Sequence, residues 1–299
     1  MTLTELKYVV AVAEARHFGR AAERCFVSQP SLSASVKNLE EELGVRLFER
    51  GRRGVLVTDA GEQIVAQARR ALEEADRVKS VARQGRDPLQ GVLRLGIIHT
   101  VAPYLLPELV GELRRAAPAM PLDVEENTTA ALDRMLKAGE LDAVILALPY
   151  EGPGIETVPL YEEIFRVIAP VKHALARKKL VAVEELDAGE LLLLPVGHCF
   201  RDQVLDACHE FSRPPEPGRQ GNSLETLRSM VASGLGISVL PATALTRRHA
   251  NPLIRTVEFS APRPVRRIAL VSRRGFHRPA ALDALVAAVR SLDLPVKRL

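Results

Sequence analysis

Ser28-Gln29-Pro30-Ser31-Leu32-Ser33-Ala34-Ser35-Val36-Lys37-Asn38-Leu39-Glu40-Glu41-Glu42-Leu43-Gly44 is the stretch on which the fold turns. Leu32, Val36, Leu39 and Leu43 recur at steps of four, three and four, the repeat of one helix face. Ser28 stands where a side-chain oxygen caps the first free N–H groups. Pro30 is tolerated in the first turn, and Gly44 suits the left-handed residue that ends a helix. The stretch predicts a helix opening on Gln29, Ser31 and Ser33. Upstream, Leu3, Leu6, Val9, Val10 and Ala13 form an apolar stripe, a loop at His17 to Gly19 follows, and Ala21, Ala22 and Cys25 carry a second short helix. Two helices joined by a tight turn, the second starting on small polar residues, make a helix-turn-helix whose second helix enters the major groove of DNA. Downstream, Arg46 to Thr58, with Gly51 and Gly54 at a turn, reads as a two-stranded wing.

From Asp59 the pattern changes. Ile64, Ala68, Ala71, Ala75, Val78 and Ala82 step by 4, 3, 4, 3 and 4, a 3.5-residue period that favours pairing with another helix. An ordinary amphipathic helix packed on its own domain is the competing reading; the length and the narrow seam favour a dimerisation helix. Asp87-Pro88-Leu89-Gln90-Gly91 reads as a hinge. Beyond it short apolar runs alternate with helical patterns: strands at Val92 to Ile98, Leu122 to Asn127, Leu141 to Leu148, Ile164 to Ala169, Leu191 to Pro195, Ile237 to Leu240 and Ile268 to Ser272, and helices at Ala102 to Arg115 and Ala130 to Ala138. Such alternation predicts an α/β fold with largely parallel sheets, and about 210 residues suit two lobes better than one sheet. The expected organisation is a winged helix-turn-helix over 1–58, a linker helix over 59–86, a hinge over 87–91 and an effector domain over 92–299. Within the last, lobe I covers about 92–162 and 268–299 and lobe II about 163–267.

The chain has 299 residues, 47% of them hydrophobic, enough for more than one core. No long charge-free apolar run suggests a membrane span, and Glu5 and Lys7 interrupt the start, which lacks the order of a secretory signal. A cytoplasmic location is expected. Net charge is +4, and residues 1–53 hold nine Lys or Arg against seven Asp or Glu, so bulk charge permits nucleic-acid binding without demanding it. More telling is the local run of Arg46, Arg50, Arg52 and Arg53. Three cysteines in a reducing compartment are not a disulfide scaffold; each read alone is a small buried hydrophobe, as Cys25 is expected to be.

Leu3 to Val12, Phe18 with Ala21-Ala22, Ser28 to Ser33, Leu39 to Gly44 and Leu47-Phe48-Glu49-Arg50 resemble the LysR-type transcriptional regulators, and Gly234-Leu235-Gly236-Ile237 through Pro241 is similar to that family's effector domain. The resemblance covers the whole chain and implies a winged helix-turn-helix, a linker helix and a two-lobed, periplasmic-binding-protein-like α/β effector domain. It also implies a homotetramer built as a dimer of dimers that binds double-stranded promoter DNA and acts on RNA polymerase. Gly197-His198-Cys199-Phe200-Arg201-Asp202-Gln203 with Cys208, and His99-Thr100-Val101-Ala102-Pro103-Tyr104-Leu105-Leu106-Pro107, resemble the redox centre of the family's peroxide-responsive members. That second resemblance implies hydrogen peroxide as the signal, Cys199 as the sensing thiol, Cys208 as the resolving one, and reduction by a glutaredoxin- or thioredoxin-type partner. It further implies a peroxide pocket of Thr100, Thr129, His198, Asp202 and Arg266, with Arg267 as the alternative cation one residue on. No cofactor, metal or membrane partner is expected.

The chemistry is consistent with these positions. A reactive thiolate needs a cation, a helix N-terminus or hydrogen bonds, and Cys199 follows a strand and turn and precedes the helical pattern of Val204, Leu205 and Cys208. Attack on the O–O bond gives a sulfenic acid, which condenses with a second thiol. On one regular helix nine residues would separate the two Cα atoms by ~13 Å, whereas a disulfide tolerates at most about 7 Å. The bond would therefore need the segment to unwind or refold. Zinc is a rival, since His198-Cys199 and Cys208-His209 supply four ligands, although the spacing lacks a Cys-x-x-Cys pair. Thr100 and Thr129 follow strand ends, where open sheets place ligands, yet for each alone helix capping or turn formation is the stronger reading. For DNA, Gln29, Pro30, Ser31, Ser33 and Lys37 fall at the start of the third helix, and Arg50, Arg52 and Arg53 on the wing meet phosphate or the minor groove. Two rival functions remain at this point: a family member that binds a small organic effector between its lobes, and a thiol peroxidase.

Overall fold

The computed structural model describes residues 1–51, 54–84, 89–207 and 219–299, which fall into two compact units. In the N-terminal unit, α1 (Leu3–Ala15) starts from a capping box in which Thr2 and Glu5 satisfy each other's backbone N–H. Its buried positions are Leu6, Val9, Val12 and Ala15. Steps of three carry the buried face round the helix, so Leu3, expected on the stripe, is 48% exposed. α2 (Phe18–Arg24) begins one residue after His17, inside the expected loop, because the His17 imidazole Nδ1 accepts the N–H groups of Gly19 and Arg20. α3 (Gln29–Leu43) has the expected ends: Ser28 Oγ accepts the Ser31 N–H at 3.3 Å, and Gly44 takes the left-handed conformation. Leu32, Val36 and Leu39 are its buried face.

β1 (Phe48–Gly51) and β2 (Gly54–Val57) pair antiparallel from Phe48↔Val57 to Gly51↔Gly54, forming the wing. Glu40, on α3, accepts the N–H groups of Leu47 and Phe48 at 2.6 and 3.1 Å and so ties the wing's first strand to the recognition helix. α4 (Asp59–Gln84) is one continuous helix of 26 residues. Val65 and Ala68 are buried in this unit's own core, and Ile64, Ala71 and Leu72 pack against it. The first half of the helix therefore follows the competing reading, since three of the six seam positions already face the unit's own core. Val78, further along, is 71% exposed. The hinge residues Asp87 and Pro88 and the wing arginines Arg52 and Arg53 lie outside the described residues, as does the side chain of Arg50.

The C-terminal unit is α/β. β3 (Leu93–Ile98), α5 (Ala102–Ala116), β4 (Leu122–Asn127), α6 (Thr129–Lys137) and β5 (Ala143–Ala147) build a parallel trio with β3 in the centre. β6 (Ile155–Pro170) then runs through 16 residues, of which only the second half carries the apolar pattern read as a strand. β7 (Leu180–Val181) and β8 (Leu191–Leu192) are short; the rest of the expected strand at Leu191 to Pro195 reduces to one bridge from Leu193 to Gln220. α7 (Cys199–Ala207), α8 (Leu224–Ala232), β9 (Ile237–Pro241), β10 (Ile254–Phe259), β11 (Val265–Arg273), α9 (Pro279–Ser291) and β12 (Lys297–Arg298) complete it.

The expectation of largely parallel sheets is corrected. β6 pairs antiparallel with β9, β10, β11 and β12, and β11 pairs antiparallel with β5. Among the strands of the described residues, only β3 with β4 and β5, β8 with β9, and β7 with β10 pair in parallel. The cause is the long returning strands β6 and β11, which enter each sheet without a helical crossover in front of them. Two hydrophobic cores result. One collects Leu93 to Tyr161 and Ile268 to Leu292, the other Phe165 to Phe259 together with Tyr104 from α5. No helix among the described residues is long and apolar enough to cross a membrane.

Candidate functional site

Two regions carry chemistry. In the first, Gln29, Pro30, Ser31 and Lys37 are exposed along one end and side of α3, and Ser33 is half-buried. Lys37 rests 3.3 Å from Glu41 one turn on. The turn before α3 places Phe26 in the left-handed region (φ +56°) with 96% of its surface exposed, a feature with no local sequence signal because an aromatic rarely adopts that conformation.

The second region is a cleft of about 10 Å³ at the start of α7, lined by Ile98, His99, Thr100, Asn127, Thr128, Thr129, Gly197, His198 and Cys199. The C-terminal ends of the parallel strands β3 and β4 supply two of its walls, as open sheets do. The left-handed Gly197 and His198 bring the chain round to the third, with Cys199 the first residue of α7. Cys199 is a free thiol, half-buried, and packs against the first core. Its neighbour Phe200 is buried in the second core, edge-on to Phe165 at 5.1 Å. Consecutive residues of α7 thus hold both cores.

Of the expected pocket residues, Thr100, Thr129, His198 and Cys199 come together in this lining. Neither threonine caps a helix. Thr128 does so instead, its Oγ1 accepting the Ala131 N–H at 3.4 Å, while Thr129 Oγ1 is buried without a hydrogen-bond partner. Thr100 Oγ1 accepts Arg266 Nη1 at 2.8 Å, and the Thr100 carbonyl accepts Nη2 at 3.1 Å. The choice between neighbouring arginines falls to Arg266: it is 2% exposed, whereas the Arg267 side chain is 62% exposed and pairs with Glu162 on the outer side of β11. Arg266 stands one contact behind the cleft, holding Thr100, rather than in its lining. Asp202 departs from the expected pocket. Phe200, Arg201 and Val204 form the buried face of α7, and Asp202 lies on the opposite side, exposed. Cys208, and with it the pairing and the zinc alternative, lies outside the described residues.

Glu163 was not foreseen. Buried on β6, it accepts Arg266 Nε at 2.7 Å with one oxygen and the Thr243 N–H and Oγ1 with the other, at 3.2 and 2.7 Å. Arg266 is left with its guanidinium carbon 4.9 Å from the Phe200 ring centre. A buried ion pair with its remaining donors and acceptors met is one the interior can hold. Gln203 donates to the Leu148 carbonyl at 3.1 Å and anchors α7 to the end of β5. Beside the thiol, the His198 and His99 rings lie 5.5 Å apart at 47°. Burial and the neighbouring His99 ring hold the His198 imidazole below the usual histidine range, which keeps it neutral near pH 7.

Residues 3–62 match the family model of the bacterial regulatory helix-turn-helix protein of the lysR family, and residues 86–293 match that of the LysR substrate binding domain. The hydrogen peroxide-inducible genes activator of Dickeya chrysanthemi is 40% identical over 290 residues, 97% of this chain and 95% of that protein. The DNA-binding transcriptional dual regulator OxyR of Escherichia coli (strain K12) is 40% identical over 291 residues, again 97% of this chain and 95% of the other. Full-length OxyR C199D from Pseudomonas aeruginosa superposes with a TM-score of 0.85 at 48% identity, covering 98% of this chain and 96% of that one. These are transcriptional regulators rather than enzymes, which removes the thiol peroxidase reading. The chain belongs to the LysR-type family of transcriptional regulators, within which its relatives are the OxyR proteins.

Proposed function

We propose that this chain is a cytoplasmic transcription regulator of the oxidative-stress response, activated when hydrogen peroxide oxidises Cys199. The observation that carries the reading is the cleft itself: a half-buried free thiol at a helix start, sharing with Thr100 and Thr129 the lining of a space with room for roughly one water-sized molecule. A site for an organic effector would be ~300 Å³ or more. Peroxide is of the size and hydrogen-bonding character the cleft accepts, and Thr129 Oγ1, buried without a partner, is a ready donor.

The sulfenic acid on Cys199 condenses with Cys208. Ala207, the last residue of α7, is eight steps from Cys199, about 12 Å along the axis. One further residue spans at most about 3.8 Å, so the disulfide demands that α7 unwind. Unwinding removes Phe200 from one core and Cys199 from the other, which makes the thiol's oxidation a rearrangement of the whole effector domain. The units are the winged helix-turn-helix (1–58), linker helix (59–86), hinge (87–91) and effector domain (92–299). They assemble as a dimer of dimers through α4 and the effector domains, and the rearrangement shifts the paired heads on promoter DNA and their contact with RNA polymerase. Gln29, Pro30, Ser31, Ser33 and Lys37 meet bases or phosphates, and Arg50, Arg52 and Arg53 meet phosphate or the minor groove. A glutaredoxin- or thioredoxin-type reductant resets the switch.

The test is a promoter-reporter assay of the intact chain and its Cys199→Ser variant, with and without peroxide. Induction lost in the variant while operator binding persists is the expected result; a Cys199→Ser chain that still responds would return the reading to an organic effector.

A further inference from the structure

His99 directly follows β3, lines the cleft with Cys199, and its ring lies 5.5 Å from the His198 ring. Its Nδ1 lies 3.0 Å from Glu126 Oε1 on β4. A carboxylate there accepts the Nδ1 proton and fixes the ring in one tautomer, leaving Nε2 as the basic nitrogen. A thiol converted to a sulfenic acid must lose one proton, and the departing peroxide oxygen must gain one. A histidine held by a carboxylate beside the reacting sulfur is suited to both.

We propose that His99 is the proton-relay residue for peroxide reduction at Cys199, with Glu126 as its positioning residue. The proposal rests on the reading of Cys199 as the peroxide-reactive thiol. In the step, the Cys199 thiol proton passes to His99 Nε2. Sγ bonds to the nearer peroxide oxygen, and the O–O electron pair leaves with the farther one. That oxygen takes the proton from Nε2 and departs as water. Sulfur is oxidised by two electrons and peroxide reduced by two, so that thiol and hydrogen peroxide become sulfenic acid and water. The groups that titrate around His99 are Glu126 on β4 and His198 and Cys199 at the start of α7; the rest of the lining carries no titratable side chain.

The test uses the full chain carrying Cys208→Ser, so that oxidation stops at the sulfenic acid, trapped with dimedone and quantified by mass spectrometry across pH. Adding His99→Gln is expected to slow trapping by about 10²-fold at neutral pH, while alkylation of Cys199 by iodoacetamide, which needs the thiol proton removed but none delivered to oxygen, slows by a clearly smaller factor. Glu126→Gln, a second variant should the first fail to fold, is expected to slow trapping by a smaller factor, with alkylation again less affected than trapping. If the Cys208→Ser chain forms no sulfenic acid at all, the peroxide reading falls and takes the proposal with it. If it does, and His99→Gln reacts within twofold of it or loses alkylation in the same proportion, the relay is overturned and the peroxide reading stands.

Discussion

The start of α3 and the start of α7 are the two helix starts to which the proposed function assigns a ligand, and they are built in opposite ways. The first is made by neighbours: Ser28 caps it, Pro30 shapes it, Gly44 closes it and Glu40 braces the wing, all within about twenty residues of chain. The second is made by distance. Cys199 shares its cleft with Thr100 and Thr129, which follow strands that lie well before it in sequence, and Arg266 reaches Thr100 from 166 residues away, held in turn by Glu163 at a separation of 103. A locally built surface is robust and can read DNA with exposed polar side chains. A site assembled from remote segments couples whatever happens at one sulfur to the packing of two cores.

Breaking the remote assembly should therefore cost more than breaking the local one. Glu163→Gln strands the Arg266 guanidinium in a site where both partners are fully buried. A loss of about 3–5 kcal/mol of stability is expected, measured by denaturant unfolding of the purified chain, together with slower oxidation of Cys199 as Thr100 loses its support. On the DNA side, Gln29→Ala removes one exposed side chain from the start of α3. Weaker binding to the specific operator by about 1–3 kcal/mol, with nonspecific binding retained, is expected in competition binding assays. Ser28→Ala removes a single capping bond and is expected to lower the unfolding free energy by about 1 kcal/mol with no change at the cleft.

The gentlest probe is pH. His198 is held below its ordinary value by burial and by His99. A depressed histidine binds fewer protons when folded than when unfolded, so its contribution is complete above about 6.5, its unfolded value, and is lost as pH falls through the folded one. The chain should thus weaken on mild acidification, and His99→Gln should move the His198 titration upward, as followed by NMR. A His198 titration unmoved by that change would show that burial alone sets it.

The same contrast explains what could be read in advance. α3, its caps, the wing and the strands β3 and β4 were legible because each rests on apolar periodicity or on a residue with one dominant local use. The mixed sheet was not, because the front half of β6, Ile155 to Glu163, carries no continuous apolar run. Nor was Glu163: a buried acid has no local signal when its partners come from β11 and from the residues after β9. Thr100, Thr129 and His198 were reached through resemblance, and Asp202 shows the limit of that route, since its side of α7 follows from which residues the cores take up. His99 carries no local sign of a role, because its partner Glu126 sits 27 residues away on a neighbouring strand.

Peptide mapping of the intact chain before and after stoichiometric peroxide tests the central claim most directly. The account predicts that Cys199 and Cys25 are free before treatment and that a single Cys199–Cys208 linked peptide appears after it, with the helical signal of α7 lost and the promoter footprint altered in the same sample. A Cys199 that stays reduced, or a linked peptide formed with α7 intact, would contradict it.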